Sequence, residues 1–389
     1  MAKHNDQMIV GIDIGSSTLR ALGSIMREES RYPIVIASYT KSLDGIDKGN
    51  IIDTDEIANA IENAIESLES STGHRTVSTL ISLSAYGLSS HHGSGYAQVS
   101  RGDAAVTDID IENAIKDGHR GVTDIRNKSI IHSIPIDYKV DGNKIQGDIL
   151  GVRGNRLEAK TLYVTYPLQC MNVLKKTLDK ANVSVTDIIA GPIAESIPLL
   201  TKKQKVSGVA LINIGKTVTS ILVYEKNVPL LISTIPIGGD DIIRDVALGM
   251  KITLDEAEAV VLGRSTTAYS KRKIEEIIEA RLEDLCKKIN KELSRISRAE
   301  LLPAGVIITG SSSYVPRIEY VFRNELKLPI KLITDEMSRI TNDIVKEGHW
   351  ARVYGLTFLA PTDTEKDIFK DLITSLFLRV KKFISQFLP

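Results

Sequence analysis

Cysteine and long apolar runs are both scarce in this sequence, and each shortage argues against a class of protein. The 389 residues include only two cysteines, Cys170 and Cys286, which are too far apart for a disulfide framework or a metal-binding motif, so we expect a reducing compartment. No run of about 18 uncharged apolar residues occurs, so no membrane-spanning helix is predicted. The first ten residues also lack the apolar segment of a secretory signal peptide.

A surplus of either charge is absent as well. The chain has 49 Lys and Arg residues against 49 Asp and Glu residues, which gives no electrostatic reason to expect a nucleic-acid partner. The length exceeds the roughly 250–300 residues at which one hydrophobic core stops growing, so we expect at least two domains. His91 and His92 lie in a Ser/Gly-rich stretch, which predicts a loop rather than a pair of metal ligands.

What the sequence does contain is an internal duplication. The segment VGIDIGSSTLRAL at residues 10–22 returns in altered form as ALINIGKTVTSIL at residues 210–222. Each copy predicts an apolar strand, a turn that begins at Gly15 or Gly215, and a second strand.

A third β-rich run and a helix follow each hairpin. The apolar spacing predicts the first helix over 54–68, with Thr54 or Asp55 at the N-cap, and the second over 240–248. A strand–strand–strand–helix unit that is used twice predicts two similar α/β domains facing one another.

The turn of each hairpin suits a phosphate group. A glycine at a strand end lets the backbone approach a ligand, and successive amide N–H groups form a concavity for anions. Asp13, at the end of the first strand, has the chemistry to hold Mg²⁺ through water. One such turn alone is more often a plain connection between strands, whereas two copies in register are typical of a phosphate gripped from both sides.

A third segment, GVIITGSSSYVPRIEYVFRNEL, predicts another part of the same site. The pattern indicates an apolar strand that ends at Gly310, then serines that cap a helix from about Val315 to Leu326. The glycine would allow close approach of a ligand ring, and the helix N-terminus would favour negative charge. An ordinary strand–helix junction with a capping serine is an equally good interpretation.

Several segments carry a resemblance to a known family. GIDKGNIIDTDEIANAIENAI follows the first hairpin, SIPIDYKVDG and LGVRGNRLEAKTLYVT come later, and IPIGGDDIIRDVALGMKITLDEAEAV follows the second hairpin. The hairpins resemble those of the actin, heat-shock-70 and sugar-kinase superfamily, and the other segments resemble the bacterial cell-division family FtsA, from about residue 8 to about residue 360. The resemblance implies an α/β, actin-like two-lobed fold (a duplicated ribonuclease-H-like core) with an FtsA-type inserted subdomain and a C-terminal amphipathic helix.

The resemblance also implies a division of the chain into subdomains, two of which form the nucleotide-gripping core. The expected boundaries are 1–84 for subdomain 1A, completed by 163–198 and 351–360; 85–162 for the inserted subdomain 1C; 199–240 for subdomain 2A, completed by 303–350; 241–302 for subdomain 2B; 361–367 for a linker; and 368–389 for the amphipathic helix.

The family resemblance implies ATP with Mg²⁺ as the cofactor. The two hairpins, a Gly-Gly pair after the second hairpin and the third segment would then form the nucleotide site. The nucleotide-binding residues that we expect are Asp13, Gly15, Ser16, Ser17, Asn213, Gly215, Lys216, Thr217, Gly238, Gly239, Gly310 and Ser311, with Asp13 also as the magnesium residue.

The second hairpin departs from the family pattern Asp-Ile-Gly-Gly-Gly-Thr. Asn213 replaces the first acid and loses the charge that would hold Mg²⁺, Lys216 and Thr217 replace two glycines, and Ser220 replaces a second acid. Val261 stands where the family tends to have a lysine near the adenine. We therefore expect ATP binding to be weakened or lost, and the protein to be non-enzymatic or a very weak ATPase. One hypothesis is that Lys216 contacts phosphate in place of the metal charge.

Subdomain 2B is implied to dock the C-terminal peptide of the tubulin-like division protein FtsZ. The segment KRKIEEIIEARLEDLCKKINKELSR predicts a helix with one apolar stripe and a basic remainder, which suits an acidic peptide. A solvated helix face is the commoner meaning of such charges. The partner-binding residues that we expect are Arg281, Lys287, Lys288, Lys291 and Arg295.

The last segment, DIFKDLITSLFLRVKKFISQFLP, predicts an amphipathic helix that lies in a membrane interface. Its broad apolar face and basic residues favour the surface of a membrane with anionic lipid. The alternative is a C-terminal helix docked on the protein's own core. The membrane-binding residues that we expect are Phe369, Leu372, Leu376, Phe377, Arg379, Val380, Lys381, Lys382, Phe383 and Phe387.

These features together predict an actin-like cell-division scaffold. It would anchor FtsZ to the cytoplasmic face of the cell membrane at the division site, self-associate into filaments and meet other divisome proteins at the septum. One alternative is an actin-like membrane adaptor of a type IV pilus-type machine. An ATP-dependent kinase or chaperone is less favoured, because the second hairpin has lost its acids.

Overall fold

The computed structural model describes residues 7–27, 30, 32–100, 102, 104–265, 267–333, 345 and 348–360. Its strands are β1 (Met8–Ile14), β2 (Thr18–Ile25), β3 (Ile34–Ser42), β4 (Ile46–Asp47), β5 (Asn50–Ile51), β6 (Thr76–Leu83), β7 (Ser89–Gln98), β8 (Lys128–Val140), β9 (Asn143–Lys144), β10 (Arg156–Pro167), β11 (Asp187–Ala190), β12 (Val209–Ile214), β13 (Thr219–Glu225), β14 (Val228–Ile235), β15 (Val306–Thr309) and β16 (Ile330–Leu332).

The α-helices alternate with these strands, and 3₁₀ turns occur at Thr123–Ile125 and Gly348–Trp350. The α-helices are α1 (Thr54–Thr72), α2 (Asp108–Arg120), α3 (Leu168–Lys180), α4 (Gly191–Leu199), α5 (Lys202–Ser207), α6 (Gly239–Met250), α7 (Leu254–Val261), α8 (Lys271–Arg295), α9 (Ile318–Leu326) and α10 (Ala351–Thr357).

The described residues form two compact units, and the first of them contains the duplication. This unit comprises the chain up to residue 87, with 172–228 and 232–360. It holds two five-stranded sheets, ordered β11–β6–β1–β2–β3 and β16–β15–β12–β13–β14. In each sheet a three-strand meander is joined at its first strand to a parallel neighbour, β6 or β15. The duplicated α/β architecture predicted from the two hairpins is confirmed.

The helix after the first hairpin begins where the sequence predicts, but its cap is a different residue. α1 is preceded by Asp53, whose carboxylate accepts hydrogen bonds from the backbone N–H groups of Asp55 and Glu56, each at 3.0 Å. The predicted N-caps, Thr54 and Asp55, were wrong because the extended backbone of Asp53 already aims its side chain at the first helical turn.

The helix of the third segment begins later than predicted, at Ile318 rather than Val315. The residue before it, Arg317, has a left-handed backbone and makes no side-chain cap. The serines after Gly310 were wrongly predicted as caps, because they close a turn of their own. The N–H and the hydroxyl of Ser313 both donate to the Gly310 carbonyl, at 3.1 and 2.8 Å.

The second unit comprises residues 88–171 with 229–231. Its sheet is ordered β7–β10–β8–β9, and the buried side chains of α2, among them Ile111 and Ala114, belong to the same core as Leu157 and Tyr163 of β10. The buried Tyr163 hydroxyl donates to the Ile115 carbonyl at 2.6 Å, which ties the helix to the strand.

The stretch around His91 and His92 is a strand, so the predicted loop was wrong. Both residues lie in β7, which pairs in register with β10. The glycines that suggested a loop have a packing role instead: a Cβ on Gly95 would overlap the backbone of α2 at Gly118. The absence of side chains lets the helix approach the strand closely.

The predicted linker 361–367 and amphipathic helix 368–389 lie outside the described residues, as do all the membrane-binding residues named above. Of the helices that the structure does describe, none has both the length and the apolar character needed to cross a bilayer. The subdomain boundaries stay a prediction.

Candidate functional site

The two hairpin turns have the same hydrogen-bonded geometry. The N–H of Gly15 donates to the carbonyl of Thr18, and the N–H of Gly215 donates to the carbonyl of Val218, each at 3.0 Å. A Cβ on either glycine would lie 2.9 Å from that same carbonyl oxygen, so a side chain would strain the turn. The copies therefore differ in side chains and agree in backbone.

The two turns touch each other through their hydroxyl groups. Thr217 donates to the Ser16 hydroxyl at 2.7 Å, and both residues are half-buried. Within the described part of the chain, the backbone N–H groups of Ser16, Ser17, Lys216 and Thr217 have no hydrogen-bond acceptor. Unused amides at two facing turns are the chemistry that an anion needs. The structure thus brings these four predicted residues together.

The Gly-Gly pair and the third segment both support the second hairpin. The N–H of Gly239 donates to the carbonyl of Gly215 at 3.0 Å, and the N–H of Asp240 donates to the carbonyl of Lys216 at 2.8 Å. The hydroxyl of Ser312 donates to the Gly215 carbonyl at 3.1 Å. The Gly239 amide is therefore committed to the turn and is not available to a phosphate.

Gly238 and Gly310 are points where the chain passes close to the second hairpin. Gly238 donates its N–H to the Asp241 carboxylate at 2.9 Å, and a Cβ on Gly238 would overlap the backbone of the turn. Gly310 has a φ of 103°, and a Cβ there would lie 2.7 Å from the carbonyl carbon of Ile214. Ser311 is exposed. Both glycines thus pack the site together, and Ser311 faces solvent.

A buried ion-pair network links the ends of β1 and β12. Nη1 of Arg352 lies 3.4 and 3.5 Å from the two carboxylate oxygens of Asp13, the predicted magnesium residue. Nη2 of Arg352 donates to Oε2 of Glu195 at 3.1 Å, and Oε1 of Glu195 accepts from Nδ2 of Asn213 at 2.6 Å. Asp13, Glu195 and Arg352 are 3%, 1% and 9% exposed. One guanidinium thus connects the two hairpin strands.

This network accounts for the amide at position 213. A carboxylate only accepts hydrogen bonds, so it is the amide nitrogen of Asn213 that faces Glu195. An aspartate there would place two carboxylates in contact. Burial acts to lower the pKa of Arg352, but the charges of Asp13 and Glu195 outweigh it and hold that pKa above its ordinary value. The guanidinium is therefore a permanent internal cation.

Helix α10 positions Arg352 between its two acidic partners. Every residue of α10 is buried. A Cβ on Gly355 would overlap the backbone of α4, which carries Glu195, and a Cβ on Gly11 of β1 would overlap the backbone of α10. These two close approaches fix the helix against both elements.

Buried hydroxyl groups lie beside the network. Ser82 is the cross-strand neighbour of Asp13, while Thr309 and Ser220 are the cross-strand neighbours of Asn213. The hydroxyls of Ser82, Thr309 and Ser220 have no hydrogen-bond partner among the described residues. Because buried polar groups are nearly always satisfied, these hydroxyls mark a place for water or for the oxygen atoms of a ligand.

The residues present do not fit the magnesium ion that the resemblance implies. Proteins hold Mg²⁺ with one or two carboxylates, and here the Asp13 carboxylate faces Arg352 while the Glu195 carboxylate is shared between Arg352 and Asn213. A divalent cation at Asp13 would stand next to a guanidinium. The described residues also contain no group of three or more His, Cys, Asp or Glu side chains arranged for a metal ion.

Two further departures from the family pattern are Lys216 and Val261. Lys216 is exposed, and its charge acts on Asp240: burial raises the pKa of Asp240, and the attraction of Lys216 opposes that shift. A phosphate would therefore compete with Asp240 for this lysine. Val261 is buried in α7, where its side chain contributes packing only.

Most of the predicted partner-binding cations on α8 are paired within the protein. Arg281 forms two hydrogen bonds to the Asp245 carboxylate, at 2.6 and 3.0 Å. Lys288 pairs with Asp284 at 3.4 Å, and Arg295 pairs with Glu292 at 3.2 Å. By contrast, Lys287 and Lys291 are exposed, and in the described part of the chain neither forms an ion pair.

Sequence reasoning missed Glu195 and Arg352, which form the centre of the site. Each is a single charged residue in an otherwise apolar or small-residue segment, GPIAESIPLL and WARVYGLTFLA. That pattern is the available signal, because a charge in a buried helix needs a partner. It does not say which acid pairs with which base.

Two family models match the chain, and both represent parts of the cell division protein FtsA. The model of the cell division protein FtsA matches residues 210–355. The model of the SHS2 domain inserted in FtsA matches residues 87–165. The first match includes the second hairpin and Arg352, and the second includes β7 and most of β10.

Curated relatives cover almost the whole chain. The cell division protein FtsA of Pseudomonas aeruginosa is 24% identical over 372 residues, which is 90% of this chain and 88% of the relative. FtsA of Bacillus subtilis is 24% identical over 351 residues, covering 85% of this chain and 79% of the relative. FtsA of Escherichia coli is 22% identical over 398 residues, covering 92% and 91%.

Solved structures agree in fold at lower identity. A PilM–PilN type IV pilus biogenesis complex matches with a TM-score of 0.66 and 15% identity over 91% of this chain and 99% of that chain. MreB5 of Spiroplasma citri bound to ADP matches with a TM-score of 0.52 and 11% identity over 94% and 98%. These likenesses establish an actin-like fold and leave the choice between a pilus and a division protein to the sequence. Because both family models and the relatives agree on that choice, the chain belongs to the FtsA family of cell-division proteins.

Proposed function

We propose that this protein is a scaffold that holds FtsZ on the cytoplasmic membrane during division. The family match carries this proposal, since it extends over the inserted unit and over the segment that contains α6 to α8. The C-terminal segment binds anionic lipid at the division site, the α6–α8 region binds the FtsZ C-terminal peptide, and self-association into filaments multiplies the weak contacts of single copies. ATP regulates the scaffold with little or no turnover.

The surface around the turn between α6 and α7 supports a peptide site. Leu248 at the end of α6 is 78% exposed and Leu254 at the start of α7 is 55% exposed, with the exposed Lys251 between them. Exposed apolar side chains beside a positive charge suit an acidic peptide that carries an apolar anchor.

Lys287 and Lys291 of α8, which form no ion pair with the residues that the structure describes, extend this surface. A Cβ on Gly249 would touch Ile277, which places the end of α6 beside the first half of α8. Lys287 is farther along the same helix, about 15 Å away at a rise of 1.5 Å per residue. An extended peptide of about five residues spans that distance at roughly 3.3 Å per residue, so one segment can reach both the leucines and Lys287.

One vesicle-flotation experiment tests the proposal with a labelled FtsZ C-terminal peptide. The full chain is expected to float with vesicles of anionic lipid and to bring the peptide with it. A chain that ends at Ala360 should stay folded, bind the peptide in solution and no longer float. If the full chain neither floats with the vesicles nor binds the peptide, the proposal is wrong.

The same assay locates the peptide site. The double variant Lys287→Glu, Lys291→Glu should still float but recruit the peptide at least tenfold more weakly, because two attractive charges become repulsive. The matched control is Lys202→Glu, Lys203→Glu, which makes the same charge change on the exposed face of α5. Equal loss of the peptide in both variants would show a general charge effect.

A further inference from the structure

We propose that Arg352 takes the place of a divalent cation in this site, so that ATP bound between the two hairpins needs no metal ion. The inference rests on the proposed regulation by ATP and deepens it. It follows from the disagreement between the Mg²⁺ that the family resemblance implies and the contacts that Asp13 makes.

Both carboxylates at the centre of the site already have hydrogen-bond partners within the protein. Nη1 of Arg352 lies within 3.5 Å of both carboxylate oxygens of Asp13, and Nη2 lies 3.1 Å from Glu195. The remaining Glu195 oxygen accepts from Asn213 at 2.6 Å. A hydrated Mg²⁺ at Asp13 would have to displace a buried guanidinium that cannot give up its proton.

Asn213 and Arg352 form one arrangement around Glu195. An arginine between Asp13 and Glu195 supplies the positive charge, and an amide at position 213 supplies the donor that the second Glu195 oxygen requires. An acid at 213 would suit a metal, whereas an amide suits the arginine. The loss of the acid in the second hairpin is therefore an adaptation to the internal cation rather than decay of the site.

Several hydrogen-bond donors remain for phosphate at the two turns. The unused amides of the two turns, the hydroxyls of Ser16 and Thr217, and the exposed Lys216 are the donors at the facing turns. Asp13 and Glu195 carry two negative charges against the single positive charge of Arg352, and the excess opposes a phosphate. Binding is therefore expected to be weak, and its strength is set by these donors and not by a metal.

The test measures ATP binding to the full-length protein by calorimetry, once in EDTA and once in excess Mg²⁺. The expected result is the same dissociation constant, within a factor of two. An affinity that rises tenfold or more with Mg²⁺ overturns the proposal, and so does a lack of ATP binding in both buffers. Either failure leaves the proposed scaffold role standing, because the flotation assay contains no nucleotide.

A gain of function gives an independent readout. The double variant Arg352→Thr, Asn213→Asp removes the cation and restores an acid, so it should bind Mn²⁺ in the presence of ATP. This binding is seen in electron paramagnetic resonance as a loss of the free-ion signal beyond the loss that the same concentration of ATP causes without protein. The unaltered protein and Arg352→Lys, which keeps the positive charge, should show no such loss. Mn²⁺ binding by the unaltered protein overturns the proposal whether or not the double variant folds.

The matched control is Arg298→Thr. Arg298 forms a comparable two-bond pair with Glu225, at 2.9 and 2.8 Å, away from the hairpin turns. This variant frees a carboxylate by the same chemical change and should gain no Mn²⁺ binding with ATP. A gain equal to that of the double variant would show that any freed carboxylate binds the ion, which overturns the assignment to this site.

Discussion

The two hairpins agree in backbone and differ in chemistry. Each turn is closed by the same glycine hydrogen bond at 3.0 Å, yet the residue before the last of the first hairpin strand is Asp13 and the corresponding residue of the second is Asn213. The turn joins two antiparallel strands and so sets the register of β1 against β2 and of β12 against β13. The side chain near each strand end matches its partner: Asp13 faces the Arg352 guanidinium, and Asn213 faces the Glu195 carboxylate.

The largest expected effect comes from making the two strand ends alike. Asn213→Asp places a second carboxylate against Glu195 and should lower the free energy of unfolding by about 3–5 kcal/mol, as expected when a buried charge loses its compensation. Urea denaturation followed by far-UV circular dichroism measures this. Asn213→Ala is the control, with a loss of about 1–3 kcal/mol for the missing donor. If the two variants lose equal stability, charge repulsion is not the reason for the amide.

The second hairpin also has a buried cation beside its strand β13. The Lys205 ammonium lies 5.0 Å from the centre of the Tyr224 ring, and burial lowers the pKa of Lys205 to about 8. The unfolded chain therefore binds one more proton than the folded chain between about pH 8 and about pH 10.5. Stability gains from this group as pH rises through that window, by at most about 3 kcal/mol, and the gain is absent below it.

The effect of Lys205 is isolated by the difference between two variants. Lys205→Met should remove the rise in stability between pH 8 and 10.5 relative to the parent protein, while Lys203→Met, an exposed lysine on the same helix, should retain it. Chemical denaturation at each pH gives the comparison. If the difference in free energy of unfolding between the parent protein and Lys205→Met does not change with pH, the lowered pKa of Lys205 is contradicted.

The smallest expected effect concerns the contact between the turns. Thr217→Val removes the donor to Ser16 and should cost about 0.5–1.5 kcal/mol of stability, the usual worth of one hydrogen bond. Ser17→Ala, at the neighbouring position of the first turn, should cost less, because the Ser17 contact in the structure uses its backbone carbonyl. Thermal melting of the three proteins compares them. An equal loss in both variants would mean that the hydroxyl bond does not join the turns.

The fold was predictable from the sequence because its signals are local. A buried apolar strand followed by Gly15 or Gly215 has few alternatives, and the second copy repeats the pattern at an offset of 200 residues. Local signals failed where packing decided the structure. The glycines of β7 indicated a loop, although in the structure they let α2 approach the strand closely. The serines after Gly310 close a turn of their own instead of capping α9.

The site was only partly predictable, for a physical reason. The turn residues were found because glycines and hydroxyls stand next to each other in the chain. The Arg352 network was not found, because Arg352 lies 157 residues from Glu195 and 339 residues from Asp13. A pairing over such a separation leaves no local pattern, and only the three-dimensional arrangement shows which acid each buried base neutralises.

The hydrogen bond between Thr217 and Ser16 determines how an anion would enter the site. A tetrahedral anion that takes one hydrogen bond from each hydroxyl exchanges one existing bond for two new ones. The anion would therefore replace an existing hydrogen bond between the two turns instead of entering an open cleft. Binding of the anion would then change the distance between the two turns, so a probe that reports this distance would also report occupancy.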